Sequence, residues 1–469
     1  MKKFVAFVAI LAFAFSLSAQ FKTGMDFRTR AEMFLMYDDG GAGYDVPWER
    51  ITDVRFRPWL SYTQNEYLTA KVVLEIGDIG FGNEAQGGAI GTDGVNVQTK
   101  NLFLQVTPNE DNTVVIGLQP YRDFHRMILD WDIAGISWRN KYDDLTSYVG
   151  WFASYDDGEF NIDGSTYSMG STEFIADFEY KINDDMKVGI NNLMQLSRER
   201  YSHVEGVYEV HGTSLNLWTA PYFAGSFDDF YVEAVLALNN IRPDYEVVMG
   251  DYNLNTGLGY EHYRPQSTGI AFSLKSKYDI NEDFDFRFNF LFRDGDGSHE
   301  AGWNLFYGLK SYYDTGLEIL TERSVGLDKI DRQIFSPFTS YETRYHPQTG
   351  LPMGTGGIIL PSLFLDYNMT DVVQNNMPFI NDMKLIFGMG LGLTAVEIRR
   401  NNDPEEPNRR RPETYLGTEI DIKAQITMFD DLIATPYLAV MFPGDWYNYE
   451  GNHDHFFTKI GLTLNTRLR

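Results

Sequence analysis

Cysteine is absent from the 469 residues of the chain, so no disulfide supports the fold outside the cytoplasm. Beyond the first 19 residues there is no apolar run of the roughly 20 residues that a membrane-crossing helix needs. Basic residues are scarce: 39 Lys and Arg stand against 66 Asp and Glu, a formal net charge of −27. That balance argues against nucleic acid as a partner. A helix scan alone would class the chain as soluble. Barrel strands escape such a scan, because every second residue is polar and each segment's signal is weak.

The first residues are of another kind. Lys2 and Lys3 precede an almost unbroken apolar stretch from Phe4 to Phe15, and Ser16-Leu17-Ser18-Ala19 supplies small residues before Gln20. This layout predicts a secretory signal peptide over 1–19 and a single mature unit over 20–469. With no Cys near the cleavage point, a lipoprotein anchor is excluded. Aromatic residues make up 15% of the chain, with 29 Tyr and 34 Phe. That is the enrichment expected of girdles at two membrane interfaces.

Two-faced strands joined by short acidic turns fill the mature chain. Phe27, Thr29, Ala31, Met33 and Leu35 alternate with Asp26, Arg28, Arg30 and Glu32. Phe284, Phe286, Phe288, Phe290 and Phe292 alternate with Asp285, Arg287, Asn289, Leu291 and Arg293. Leu416, Thr418, Ile420, Ile422, Ala424, Ile426 and Met428 alternate with Gly417, Glu419, Asp421, Lys423, Gln425 and Thr427. Period-two alternation places the two sets on opposite faces of a strand. The turns read Asn183-Asp184-Asp185, Asn281-Glu282-Asp283, Asp228-Asp229, Asp143-Asp144 and Asp430-Asp431, with Pro108 to Asn112 as a longer version.

These short turns alternate with longer Gly/Asp/Asn-rich loops at 37–50, 78–96, 120–132, 156–170, 198–211, 241–266, 399–412 and 443–455. A soluble sandwich also alternates, but its strands average about 5–6 residues and it has no need of one short rim and one long rim. The fold class expected is all-β: a transmembrane antiparallel up-and-down β-barrel. Strands are expected near 24–36, 51–62, 66–77, 97–107, 112–120, 133–140, 145–155, 171–182 and 186–197. Further ones fall near 212–224, 229–241, 267–280, 284–293, 357–369, 382–398, 413–428, 432–442 and 456–468. This makes about 18 strands; a hairpin near 303–320 would raise the number to 20, and otherwise 294–356 is one long loop that can fold into the lumen.

Several of these segments carry a resemblance. Tyr415-Leu416-Gly417-Thr418-Glu419-Ile420-Asp421, followed by Tyr437 to Phe442 and Pro443-Gly444-Asp445, resembles the penultimate hairpin of the alginate-export family of outer-membrane barrels. Ile116-Gly117-Leu118-Gln119 with Arg126 and Asp130-Trp131 is similar to that family's Gly-Arg-Gln strand and the loop after it, with Leu118 in the place of the Arg. The Arg28-x-Arg30-x-Glu32 and Arg55-x-Arg57 strands also fit. The resemblance implies an 18-strand monomeric barrel. The family's members include an exporter of an acidic polysaccharide with a basic pore and many porin-like relatives. The lost Arg and the acidic balance argue against polyanion export here.

Candidate pore-lining residues are the inward set Arg28, Arg30, Arg55, Arg57, Lys71, Arg287, Arg293, Lys423 and Lys459, with the acids Glu32, Glu75, Glu419 and Asp421 among them. Water in a lumen lets such charges stay ionised, and rows of them bias which solutes pass. Cross-strand pairing with acids such as Asp26 and Asp285 is the competing role for the same residues. Arg122, Arg126 and Asp130 lie in a loop between adjacent strands, from which they either project into the pore or remain on the surface. Asp294, Asp296 and Glu300 form a fragment of a calcium-loop pattern without its remaining carboxylates. His453-Asp454-His455 lacks a third metal ligand nearby.

No catalytic residue and no cofactor is expected. All eight histidines lie in or next to loops, without a Ser-His pair on a strand rim, so no acyl-transfer site is indicated. The expected function is a porin-like outer-membrane channel for small hydrophilic solutes in a Gram-negative-type bacterium, its other partner being outer-membrane lipid. The alternatives are a conduit exporting an alginate-like polysaccharide and a structural or adhesive surface barrel.

Overall fold

The computed structural model describes residues 20–36, 48–81, 97–162, 165–203, 208–249, 259–263, 267–295, 306, 315–320, 357–398, 413–444 and 456–468. The strands are β1 Gln20–Met36, β2 Trp48–Asn65, β3 Leu68–Gly80, β4 Val97–Asn109, β5 Asn112–Arg122, β6 Asp130–Tyr142 and β7 Leu145–Ile162. Next come β8 Ser165–Lys181, β9 Met186–His203, β10 Tyr208–Phe227, β11 Phe230–Met249, β12 Gly259–Tyr263 and β13 Ser267–Asp279. The last are β14 Phe284–Arg293, β15 Ile358–Asn368, β16 Ile380–Ile398, β17 Glu413–Met428, β18 Leu432–Pro443 and β19 Phe457–Leu468, with a short helix α1 at Thr370–Gln374.

Apart from β12, each strand pairs antiparallel with the next strand of the ring, β11 with β13, and β1 closes the ring on β19 from Met25↔Leu468 to Met36↔Phe457. Among the described residues the closed barrel has 18 strands. The nineteenth, β12, pairs only with the far end of β11, from Tyr245↔Tyr263 to Met249↔Gly259, beyond the point where β13 leaves it at Ile241↔Ser267. β14 pairs directly with β15 from Phe284↔Tyr367 to Arg293↔Ile358, so the suspected hairpin near 303–320 adds no strand to the ring and the count is 18 rather than 20.

Alternation explains which way the wall faces. Phe286, Leu363, Leu365, Phe387, Met389, Ile420, Ile422 and Leu438 on adjacent strands β14 to β18 all lie exposed on the outer surface. At about 25 cal/mol per Å² such a belt is costly in water and favourable in hydrocarbon. Closure matters equally, since a sheet edge left in hydrocarbon would carry unpaired N–H and C=O groups. The buried apolar cluster lies on the inside, with Phe152, Leu193, Trp218 and Val235 in one part and Leu360 and Phe364 in another.

The short connections share one rim with the first residue of β1 and the end of β19. Asn65, Asn109, Asn183 and Asn281 each accept, through Oδ1, the backbone N–H two residues on, at 2.9–3.1 Å. This is the side-chain mimicry of a turn that favours Asn there. Asp143 and Asp228 open the two-residue turns in the left-handed region, at φ 48° and 51°. One connection at this rim, 369–379, is longer and carries α1.

Two expectations need correction. The loops expected at 156–170, 198–211 and 241–266 are in large part strand, because β7 to β11 run 17–20 residues and keep pairing past the belt. Gly, Asp and Asn lower strand propensity, but pairing needs only backbone groups, and beyond a bilayer no apolar face is required. Strict alternation also places Leu416 outside with Ile420. Instead the register slips between Gly392 and Leu393, Gly417 takes φ +142°, and Leu416 is buried at 2% exposure on the inner face. An extra residue in one strand reverses the facing of the residues beyond it. The expected signal peptide lies outside the described residues.

Candidate functional site

The inner wall divides into an open part on β1 to β4 and parts covered by chain that folds inward. On the open part, Asp53 takes both Arg28 (Nη2 donating at 3.4 Å) and Arg30 (Nε at 2.6 Å). Arg55 pairs with Asp26 at 3.8 Å, and Arg57 donates to Glu75. Lys71 lies over the Trp59 ring, 5.3 Å from its centroid. Lys100 and Asn101 both donate to Asp132, at 2.5 and 2.6 Å. These arginine side chains keep 16–29% of their surface open on the inner wall.

The wall formed by β14 to β19 carries the same residue types in another setting. Residues 315–320, from the connection between β14 and β15, lie across it. The Glu419 carboxylate accepts three consecutive backbone N–H groups, from Glu318 (2.8 Å), Ile319 (2.7 Å) and Leu320 (2.6 Å). Asn289 donates to the Thr315 carbonyl at 3.0 Å, and Lys423 donates to the Gly316 carbonyl and to Glu318. Lys459 lies 3.6 Å from Glu32 and 3.9 Å from Glu318, and Arg293 donates to the Phe306 carbonyl at 3.1 Å. Glu419 and Asp421 are fully buried, and Lys459 and Arg293 nearly so. A hydrogen bond to a charged acceptor is worth about 1.5–3 kcal/mol, so Glu419 alone accounts for much of the hold on this segment.

Glycines complete that seat. Gly388, Gly390 and Gly392 occupy successive inward positions of β16, and a Cβ at Gly390 would strike the Leu317 side chain. A Cβ at Gly392 would lie 2.9 Å from Leu320 Cδ2. Gly316 itself has φ +87°, and a Cβ there would come 2.8 Å from the Phe364 ring. Leu317, Ile319 and Leu320 are accordingly buried.

The second inward piece is the connection 123–129 between β5 and β6. Asp123 gathers it by accepting the N–H groups of Met127 (2.9 Å), Ile128 (2.9 Å) and Leu129 (2.7 Å). Burial pushes the Asp123 carboxyl up to about 6, with those N–H groups pulling the other way. Phe124 stacks on Tyr222 at 4.2 Å, and its N–H donates to Asn191. His125 Nδ1 lies 2.8 Å from Ser273 Oγ and its Nε2 3.0 Å from Glu233. Burial lowers the His125 pKa, with Glu233 opposing, so the imidazole is neutral at pH 7. The turn therefore ties β5 and β6 to β9, β10, β11 and β13 across the lumen.

The remaining candidates are dispersed. Arg126, at φ 58°, is 3.6 Å from Asp130, and Arg122 is exposed at the end of β5 opposite Asp130 in register. Arg287 donates to Asp366 at 2.8 Å and sits over the Phe364 ring. Asp294 accepts the N–H of Gly295. Asp296, Glu300, His453, Asp454 and His455 lie outside the described residues. Among the described residues, no group of three His, Asp or Glu is arranged to hold a metal ion. The sequence reading misses Asp123 and His125; it expects 294–356 to be able to fold into the lumen but does not single out 315–320 within it. The available signal is the Gly388-x-Gly390-x-Gly392 column, empty side-chain positions on a lumen face.

No family model matches the chain, and no curated protein matches it in sequence. Solved structures similar to it include the Pseudomonas aeruginosa outer membrane protein opdK, 11% identical, covering 95% of this chain and 98% of that one, with a TM-score of 0.47. P. aeruginosa OccK8 (OprE) is 14% identical over 95% and 98% of the two chains, TM-score 0.47. P. aeruginosa OccK3 (OpdO) is 9% identical over 95% and 96%, TM-score 0.49. The barrel assignment rests on the strand pairing above, and the chemistry of the lumen on its own residues.

Proposed function

We propose that the protein is an outer-membrane channel through which small hydrophilic solutes diffuse passively, filtered by the open charged wall and narrowed by the two inward segments. The observation that carries this reading is the arginine set Arg28, Arg30, Arg55 and Arg57, partly open to the lumen inside a barrel whose outer face is apolar. Charges held open inside a closed barrel have a use if water and solute pass them. No chemical step is assigned to any residue. Export of an acidic polysaccharide, which the alginate-export resemblance implies, asks for an uninterrupted basic track; Asp53, Asp26 and Glu75 interrupt it here. The test is conductance of the purified protein in a planar bilayer under a salt gradient. Stable ohmic steps with a measurable reversal potential are expected, and a wild-type protein that inserts without conducting sinks the channel reading. Block by polyuronate but not by small anions would move the reading to export.

A further inference from the structure

We propose that Glu419 and the glycine column of β16 form a seat for residues 315–320, and that this seat, rather than the barrel wall itself, sets the width of the passage. The inference deepens the channel reading above and rests on it for its physiological meaning. Two independent observations meet at the seat. One is polar: a single carboxylate receives three consecutive N–H groups of a segment that is itself neither strand nor helix. The N–H groups of Ile319 and Leu320 are buried and that of Glu318, which also reaches Asp421 at 3.2 Å, is half-buried; a buried donor without an acceptor is strongly disfavoured. Glu419 therefore decides whether the segment can lie against the wall at all.

The other observation is steric. β16 offers Gly388, Gly390 and Gly392 at alternate, inward positions, and the side chains of Phe364, Leu317 and Leu320 occupy the volume where their Cβ atoms would be. Glycine in mid-strand weakens the strand and often marks close approach of another backbone or side chain. Gly390 and Gly392 are the complement of Leu317 and Leu320, and Gly388 that of Phe364. Lys423 adds a third tie, to the Gly316 carbonyl and to Glu318. Glu419 is in this sense a positioning residue: it acts on solute only through the segment it holds.

The seat is tested with three variants of the full chain in planar bilayers and in liposomes challenged with neutral sugars of increasing size. Glu419→Ala removes the acceptor, Gly390→Val fills the groove without touching any charge, and Glu419→Asp keeps a carboxylate. Folding of each is checked by the heat-dependent shift of barrel migration on gels. Glu419→Ala and Gly390→Val are expected to raise single-channel conductance about two-fold or more and to admit larger sugars. Glu419→Asp should stay closer to wild type. Conducting wild type with unchanged conductance and size limit in both folded variants overturns the seat and leaves the channel reading standing. A silent wild type with conducting variants does the reverse, since it leaves a seated plug in a barrel that is not a constitutive channel. Silence in all folded variants overturns both.

Discussion

Two stretches of the inner wall carry near-identical chemistry and treat it oppositely. On β1 to β3, Arg28, Arg30, Arg55 and Arg57 meet Asp53, Asp26 and Glu75 with their outer surfaces open to the lumen. On β17 and β19, Glu419, Asp421, Lys423 and Lys459 meet one another and Glu318 beneath an inward segment, where Glu419 and Asp421 are wholly covered. The first set keeps part of its surface open; the second is engaged with the segment lying over it. Facing inward is therefore not the same as being open to the lumen. What separates the two is whether a backbone segment whose N–H groups take their acceptor from the wall lies on top.

The sharpest way to break this comparison is to remove one carboxylate from each wall and measure unfolding by urea in micelles. Glu419→Ala is expected to cost about 3 kcal/mol, because the buried N–H groups of Ile319 and Leu320 lose their acceptor while that of Glu318 keeps only Asp421. Asp53→Ala is expected to cost less, about 1–2 kcal/mol: Asp53 is buried, but its partners Arg28 and Arg30 are partly open and can turn to water. Equal losses would erase the distinction.

Next in size is the pH response of the other inward turn. Asp123 has a folded-state pKa of about 6 against 3.8 ordinarily, so the folded chain holds a proton there that the unfolded chain has given up. Its contribution to stability thus falls as pH rises from about 4 to 6, by roughly 2–3 kcal/mol, and is flat above. His125 works the other way below its ordinary 6.5. Comparing wild type with Asp123→Asn isolates the carboxyl: the variant should lack that decline between pH 4 and 6. A parallel decline in both would assign it elsewhere.

A smaller effect is expected on the open wall. Arg55→Ala with Arg57→Ala should move the reversal potential toward cation passage, most at low salt. The shift should nearly vanish at 1 M, where the screening length is about 3 Å. A salt-independent shift would mean these arginines are covered after all. The smallest effect sits at the short-turn rim, where Lys181→Ala removes an exposed pair with Asp184 at 2.5 Å. No change in the unfolding midpoint is expected, as for most exposed pairs.

Much of this architecture is legible in the sequence, for physical reasons that also mark the limit. Ile420 and Ile422 against Glu419 and Asp421 announce a two-faced strand because alternation is a local property. Asn183 and Asn281 announce turns because their side chains satisfy backbone groups two residues away. The fate of Glu419 is not legible, since being covered depends on a segment about 100 residues distant in sequence. Alternation puts Leu416 on the wrong face because a bulge at Gly417 interrupts an otherwise regular pattern. His125 reads as a loop histidine; its partners on β11 and β13 lie more than 100 residues on.

The seam between β1 and β19 has a consequence for how such a ring is made. Asp26 and Arg467 stand opposite each other although nearly the whole chain separates them. Every other neighbouring pair in the ring is joined by a single connection; this one waits until Phe457–Leu468 exists. Until then β1 and β18 each offer a bare edge, the template on which strands of other chains add. Sealing is consequently a late, slow and long-range event. The same adjacency means that the ends could be spliced and the ring cut open at another short turn, so that a different pair of strands becomes the last to meet.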